Sequence, residues 1–402
     1  MQIVTEPTLD LLQLPPAPAD GLYVHIPFCA HKCHYCDFYS ITRQSPDRMD
    51  RFVNLLLSEA DQWARARSTD DLKPVTIFFG GGTPTLLPLA HMERLIRGLK
   101  ARFDLSGVNE WTVEVNPATA DAEYLAMLRA LGVDRLSFGA QSFDRAELAT
   151  LERHHNPDDV PRSVELARAA GFQRINLDLI FAIPGQSLGS WATSLARTMS
   201  LGTTHLSCYA LTYEPNTPMA VKKRLGTIRA IDEDVEMEML RFTRDTLRSA
   251  GMPPYEISNF ARPGQACRHN LNYWTGGNYL SLGPSAASHV AGWRWKNRPH
   301  LGEWERRVEA GQLPVMDVEQ LSLRQRAGEL AMLMLRLSRG LEFDTFAART
   351  GYDARSLFAE TIDRFARVGF LEVTDEAVCL TESAIGVADS VAAEFLGPTN
   401  PT

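Results

Sequence analysis

His25-Ile26-Pro27-Phe28-Cys29-Ala30-His31-Lys32-Cys33-His34-Tyr35-Cys36 puts three cysteines into one loop at the spacing C-x3-C-x2-C. Three thiolates are an odd number for a closed cage. A structural zinc ion takes four protein ligands, whereas a trio suits a metal centre that keeps one coordination position open. An iron–sulfur cluster on three thiolates would leave one iron free to bind a further group. His25, His31 and His34 are imidazoles able to complete a zinc site instead, so the trio alone leaves both readings open.

A second motif moves the balance. Phe78-Phe79-Gly80-Gly81-Gly82-Thr83-Pro84-Thr85 follows the strand-like Val75-Thr76-Ile77, and zinc accounts for none of it. Successive glycines let the backbone approach a ligand closely, because no side chain stands in the way and unusual dihedrals cost little. The expectation is that their amides become ligand donors. A glycine-rich turn alone is weak evidence; beside a cysteine loop about one βα unit upstream it is strong. The two motifs together resemble the radical S-adenosylmethionine (SAM) superfamily. That resemblance implies a [4Fe-4S] cluster on Cys29, Cys33 and Cys36 whose open iron chelates the amino and carboxylate groups of SAM, passing an electron into the sulfonium to give a carbon radical. It also implies that Gly81, Gly82 and Thr83 meet the amino end of SAM.

The chain has 402 residues, 45% hydrophobic and 22% charged, enough for a large core and, at roughly 150 residues per domain, for two domains. The remaining cysteines, Cys208, Cys267 and Cys379, are far apart, which gives no disulfide framework. An oxygen-sensitive cluster needs a reducing compartment, so a cytoplasmic location is expected. Residues 1–20 carry Glu6, Asp10 and Asp20, several prolines and no Lys or Arg, reading as a flexible tail rather than a secretory leader. The apolar run 175–184 is interrupted by Asp178 and too short to cross a bilayer. A net charge of −8 argues against nucleic acid as a partner.

Short β-rich runs at 22–26, 75–79, 111–115, 135–139, 175–183 and 205–211 alternate with helical patterns at 47–66, 89–102, 121–131, 157–170, 188–200 and 232–249. Gly132, Gly171, Gly202 and Gly251 stand as helix terminators. Repeated βα units predict parallel pairing with right-handed crossovers, and six of them predict an incomplete (β/α)6 barrel over residues 21–300. Such architectures carry their functional residues at the carboxyl ends of the strands, where Glu114, Gln141 and Asp178 fall. Residues 301–402 read as a separate, mainly helical, winged-helix-like domain: helices at 323–338, 343–350 and 355–368, a hairpin at 370–381 and a last helix at 382–395. With 14 acidic against 8 basic side chains over 315–402, this domain lacks the footprint of a DNA-binding module and reads as a lid or docking domain.

A closer resemblance rests on Tyr23 before the cysteine loop, the Glu114 and Gln141 motifs, Arg153, Asp178-Leu179-Ile180-Phe181-Ala182-Ile183-Pro184-Gly185-Gln186 and Tyr255-Glu256-Ile257-Ser258-Asn259-Phe260. These look like the oxygen-independent coproporphyrinogen III oxidase group, over most of the chain. The likeness implies Tyr23, Tyr35, Gly81, Gly82, Thr83, Glu114, Gln141, Arg153 and Asp178 as SAM contacts. Two departures choose within the group. The decarboxylating oxidase has a further Cys two positions after the third ligand, where this chain has Phe38, and Arg268-His269-Asn270-Leu271-Asn272-Tyr273-Trp274 resembles the H-N-x-x-Y-W signature of HemW-type heme chaperones. That family implies heme as a third cofactor, with His269 as an axial ligand beside two aromatics and Cys267 as a nearby second donor. Gly283-Pro284-Ser285-Ala286-Ala287-Ser288-His289 is a small-residue loop similar to the family's stretch near substrate. The implied function is heme transfer to apo-hemoproteins, membrane-bound respiratory ones included, with a low-potential electron donor. The enzyme alternative is an anaerobic coproporphyrinogen III dehydrogenase; a third is a zinc-stabilised interaction protein.

Overall fold

A computed structural model describes residues 17–42, 44–67, 71–117 and 119–396. The tail expected over 1–20 falls, as far as residue 16, outside the described residues. The six expected strands form: β1 (Gly21–Ile26), β2 (Thr76–Gly81), β3 (Glu110–Val115), β4 (Arg135–Gln141), β5 (Arg174–Phe181) and β6 (His205–Ala210). They pair in parallel and in chain order. The helices Pro46–Ala66, Ala122–Ala130 and Leu188–Ser200 each start behind a side-chain cap, from Ser45, Asp121 and Ser187 respectively. A helix at Arg145–Thr150, not expected from the sequence, is capped by Asp144.

The two faces of the sheet differ, and the difference makes the site. Ile77, Phe79, Trp111, Val113, Leu136, Phe138, Ile175, Leu177 and Leu206 point outward into one core with Leu56, Leu95, Leu125, Val164 and Trp191 of the surrounding helices. Each fully buried aliphatic or aromatic side chain contributes about 1.5–3 kcal/mol, so this face holds the barrel together. The alternate positions are Thr76 and Phe78 on β2; Glu110, Thr112 and Glu114 on β3; Arg135 and Ser137 on β4; Asn176 and Asp178 on β5; and His205 and Ser207 on β6. Parallel strands covered on both sides normally read as continuous apolar runs. Here, Phe78 apart, these alternate residues are polar, and the inner face is a polar lumen closed by its own hydrogen bonds. Asn176 donates to Ser137 Oγ (2.7 Å) and Asp178 Oδ1 (2.8 Å), and its Oδ1 lies 2.7 Å from His205 Nδ1.

The sheet runs beyond six strands. β7 (Asn259–Ala261) adds antiparallel to β6, β8 (Tyr279–Leu282) lies parallel to β1, and β9 (Ala287–Val290), β10 (Trp293–Asn297) and β11 (Val315–Gln320) continue antiparallel, giving eleven strands with open edges at β7 and β11. Residues 301–320, expected with the C-terminal domain, instead belong to the barrel. Leu301, Trp304, Val308 and Val315 are buried in its core, and β11 pairs with β10.

The C-terminal unit begins at Leu323–Met334, whose capping box joins Ser322 and Gln325. Then come β12 (Leu341–Glu342), helices Phe343–Thr350, Ala354–Leu357 and Ala359–Arg367, and the hairpin of β13 (Leu371–Val373) and β14 (Ala377–Leu380) in the order β12-β14-β13, a winged-helix arrangement. Its separate core contains Ala331, Phe346, Phe358, Val378 and Phe395. The last expected helix is a 3-10 turn, Glu382–Val387, followed by Ala388–Ala393. The Arg244 guanidinium forks onto both Glu382 carboxylate oxygens, at 2.9 and 3.0 Å, tying the two units together. Among the described residues no helix is long and apolar enough to cross a membrane.

Candidate functional site

The cysteine loop leaves the carboxyl end of β1 and is held on both sides. Cys29 N donates to Ile41 O (3.0 Å), Ile41 N to Pro27 O (2.8 Å) and His34 N to Leu151 O (3.3 Å). Cys29, Cys33 and Cys36 are free and partly buried. Burial raises the Cys29 thiol and pushes Cys36 up to about 11, with repulsion among the three sulfurs adding to each. Burial thus resists ionisation of Cys29 and Cys36, whereas a metal centre would deprotonate its thiol ligands outright. Arg153 supplies the compensating cation. Its guanidinium reaches Cys33 Sγ (3.7 Å), Gly139 O (2.5 Å) and Asn116 Oδ1 (3.3 Å), three directions that a planar fork can serve at once. Thr83 Oγ1 lies 4.0 Å from Cys29 Sγ. Cys208 and Cys267 are buried elsewhere and Cys379 sits on β14, so among the described residues no fourth cysteine completes the trio. His25 does not complete it either: Nε2 is 2.9 Å from Tyr39 O and Nδ1 is 3.2 Å from Tyr23 Oη. The donor set fits a three-thiolate cluster with an open position.

Beside the loop lies a carboxyl pair. Gly81 N donates to Glu114 Oε2 at 3.2 Å, and burial followed by the neighbouring Asp178 pushes Glu114 up to about 8. Asp178 is raised by burial too, against the pull of Ser207, Asn176 and Arg135. Tyr23 stacks on Phe78 (6.2 Å) and is raised by burial and then by Glu114; Tyr35 is raised by burial, with Arg153 opposing. With Arg135 pulling on both, the two buried carboxyl groups offer acceptors to an arriving N–H donor.

The glycine segment needs correcting. Its amides are not ligand donors: Gly81 N goes to Glu114, Gly82 N to Ile26 O (2.9 Å) and Thr83 N to Phe28 O (2.7 Å). The glycines are required by the chain itself. A Cβ on Gly81, where φ is +104°, would sit 2.4 Å from the His25 ring, and one on Gly82 would sit 2.6 Å from Phe28 O. Only carbonyl oxygens remain for an ammonium to meet. Gln141 ends β4 after a register shift with φ +63°, and Ala182 follows β5 with φ +59°. Left-handed non-glycine residues persist only where surroundings over-determine them, and these two mark the same end of the barrel.

His269 stands at the opposite end, and this corrects its reading as an available heme ligand. It is buried in the helix Arg268–Trp274 against the amino ends of the strands. Its Nδ1 is 2.8 Å from Thr76 Oγ1, its Nε2 is 2.8 Å from Tyr273 Oη, and its ring stacks on Phe78 at 5.4 Å. Burial lowers it to about 4, so it is neutral, with both nitrogens occupied. Cys267 is no open donor either; it faces Glu110 Oε1 at 3.3 Å, and burial pushes it up to about 12. Glu110 also accepts from His269 N (2.9 Å), Arg268 N (3.0 Å) and Arg174, sealing the barrel floor.

Sequence reasoning missed Asn116, Glu59 and the lumen residues Arg135, Ser137, Asn176, Ser207 and His205, and read His25 only as an alternative zinc ligand. Buried Glu59 accepts from Gly283 N (2.9 Å), Asn297 Nδ2 (2.6 Å) and Trp304 Nε1 (2.9 Å), anchoring the small-residue loop after β8. The signal for the lumen was present in the sequence: polar residues at period two inside predicted parallel strands.

Residues 23–196 match the model of the Radical SAM superfamily, and 321–386 match the HemN C-terminal domain. The heme chaperone HemW of Bacillus subtilis is 35% identical over 379 residues, covering 93% of this chain and 98% of that protein. The Escherichia coli heme chaperone HemW is 38% identical over 280 residues, 70% of this chain and 72% of that one. Among solved structures, coproporphyrinogen III oxidase (HemN) from Escherichia coli, described as a radical SAM enzyme, superposes with a TM-score of 0.82 at 23% identity, covering 96% of this chain and 92% of that one. At that identity the superposition speaks for the fold. With near full-length similarity to the first of these relatives, a cysteine trio at the mouth of a polar-lined half barrel and a winged-helix end, the chain belongs to the HemW heme chaperone family of the radical SAM superfamily.

Proposed function

We propose that this chain is a cytoplasmic heme chaperone of radical SAM type. It holds a [4Fe-4S] cluster on Cys29, Cys33 and Cys36, binds SAM and heme, and passes heme to apo-hemoproteins, membrane-bound respiratory ones included. The observation that carries the heme-transfer reading is the 35% identity, over 379 residues, with a protein named a heme chaperone. Phe38 supports it against the oxidase alternative. Where the oxidase carries an additional thiol, this chain presents a phenyl ring that is 66% exposed.

When bound, the cluster supplies a one-electron donor, charged by a low-potential partner, with one iron open to the nucleoside. Arg153 holds a fixed positive charge against Cys33 and orients the loop through Gly139 O and Asn116. Glu114 and Asp178 offer carboxyl groups to the N–H groups of the SAM amino nitrogen, while Tyr23, Tyr35, Gln141 and the carbonyls of Gly81, Gly82 and Thr83 complete the wall. His269 is assigned to the floor.

The test uses anaerobically reconstituted protein. Hemin titration is expected to give a saturable Soret shift, and the loaded protein is expected to convert an apo b-type cytochrome to its holo form. Absence of saturable heme binding defeats the reading. So does formation of vinyl products from coproporphyrinogen III with SAM and dithionite, which would establish the dehydrogenase.

A further inference from the structure

We propose that His31, Glu152 and His154 form a second metal site, for a divalent transition ion of the zinc class, on the flank of the cysteine loop. Their ligand atoms all lie within 4.8 Å of one another. His31 Nε2 is 3.7 Å and His154 Nε2 is 3.6 Å from the same oxygen, Glu152 Oε2. Both separations exceed the roughly 3.2 Å limit of a good N–H···O hydrogen bond. They match what an ion imposes: with metal–ligand bonds of about 2.1 Å in tetrahedral geometry, neighbouring ligand atoms stand about 3.4 Å apart.

The imidazoles stack face to face at 4.1 Å, with 25° between the planes. His31 Nε2 is buried and has no hydrogen-bond partner, which leaves its lone pair for an ion rather than for the protein. His34 Nδ1 lies 3.8 Å from the other carboxylate oxygen but is taken by Lys222 Nζ at 3.0 Å. The protein therefore contributes three ligands, and with side-chain exposures of 38% for His31 and 64% for His154 the remaining position opens to solvent.

Donor type separates this site from its neighbour. Three thiolates select iron and sulfide, whereas two imidazoles and a carboxylate suit Zn2+, Fe2+ or Co2+ without sulfur. Position gives it a role. His31 lies within the cysteine loop, and Glu152 and His154 flank Arg153, whose guanidinium reaches Cys33 Sγ at 3.7 Å. An ion here pins together the two segments that enclose the cluster. The inference does not depend on heme transfer.

Chelator-washed protein carrying its cluster would be titrated anaerobically with Co2+. One Co2+ per chain is expected beyond the cluster iron, with visible d–d bands of nitrogen–oxygen ligation and no thiolate charge-transfer band. Glu152→Gln and His154→Ala are expected to weaken it at least tenfold while iron, sulfide and circular dichroism stay as in the parent. A chain with Cys29, Cys33 and Cys36 all replaced by Ser is expected to bind the same single Co2+, which separates this site from any failure of the cluster itself. No bound cobalt, cobalt with thiolate bands, or equal binding in the two variants would overturn the proposal.

Discussion

The role proposed for Glu114 makes SAM binding a function of pH. In the free protein its carboxyl is pushed up to about 8 by burial and by Asp178, with the Gly81 amide at 3.2 Å pulling the other way. Below that value the group is neutral and a weaker acceptor for the N–H groups of the SAM amino nitrogen. At about 1.4 kcal/mol per pH unit, the ionised fraction falls some fifty-fold from pH 8 to pH 6. The ligand's own α-amino group must shed its proton to chelate iron and does so near about 7.7–8.0, so its titration adds to the rise in affinity with pH. Stability without ligand runs in the opposite sense. A carboxyl raised in the folded state stabilises the fold below its unfolded value of 4.5, and that contribution is lost as pH rises through about 8. Equilibrium dialysis of SAM against cluster-loaded protein from pH 6 to 8.5 measures the slope, and Glu114→Gln should bind weakly and keep only the shallower slope of the ligand's own amino group. A flat profile for the parent, or an unchanged slope in the variant, refutes the role given to Glu114.

Two further substitutions test the scaffold. Gly81→Ala places a methyl 2.4 Å from a His25 ring that is itself tied to Tyr39 O, at a φ of +104°; a loss of about 2–4 kcal/mol in denaturant unfolding is expected, and a change under about 0.5 kcal/mol would contradict it. His269→Ala leaves Thr76 and Tyr273 without their partner and opens a cavity under Phe78, for about 2–4 kcal/mol of destabilisation, with the hemin spectrum retained. A folded His269→Ala protein that has lost its Soret shift would restore His269 as a heme ligand.

The six parallel strands and the cysteine loop were readable because each rests on local pattern: apolar residues facing the helices, caps, and three thiols within eight residues. β8 to β11 were not. Each has at most six residues, they are joined by turns such as Gly283-Pro284 and Ala291-Gly292, and β8 owes its place to pairing with β1, more than 250 residues away in the chain. The C-terminal boundary shifted for a similar reason, since nothing local in Leu301 or Trp304 says which core they enter. Composition could show that His269 neighbours aromatics. It could not show that Thr76 and Tyr273 occupy both ring nitrogens, because one of those contacts spans 193 positions. The glycines were right for a reason other than the one expected, as the body pressing on Gly81 is His25 of the same chain.

Glu110, gripping the start of the Arg268–Trp274 helix, turns the half barrel into a well with a bottom. A guest lodged against the carboxyl groups of β3 and β5 is therefore not expected to leave through that floor.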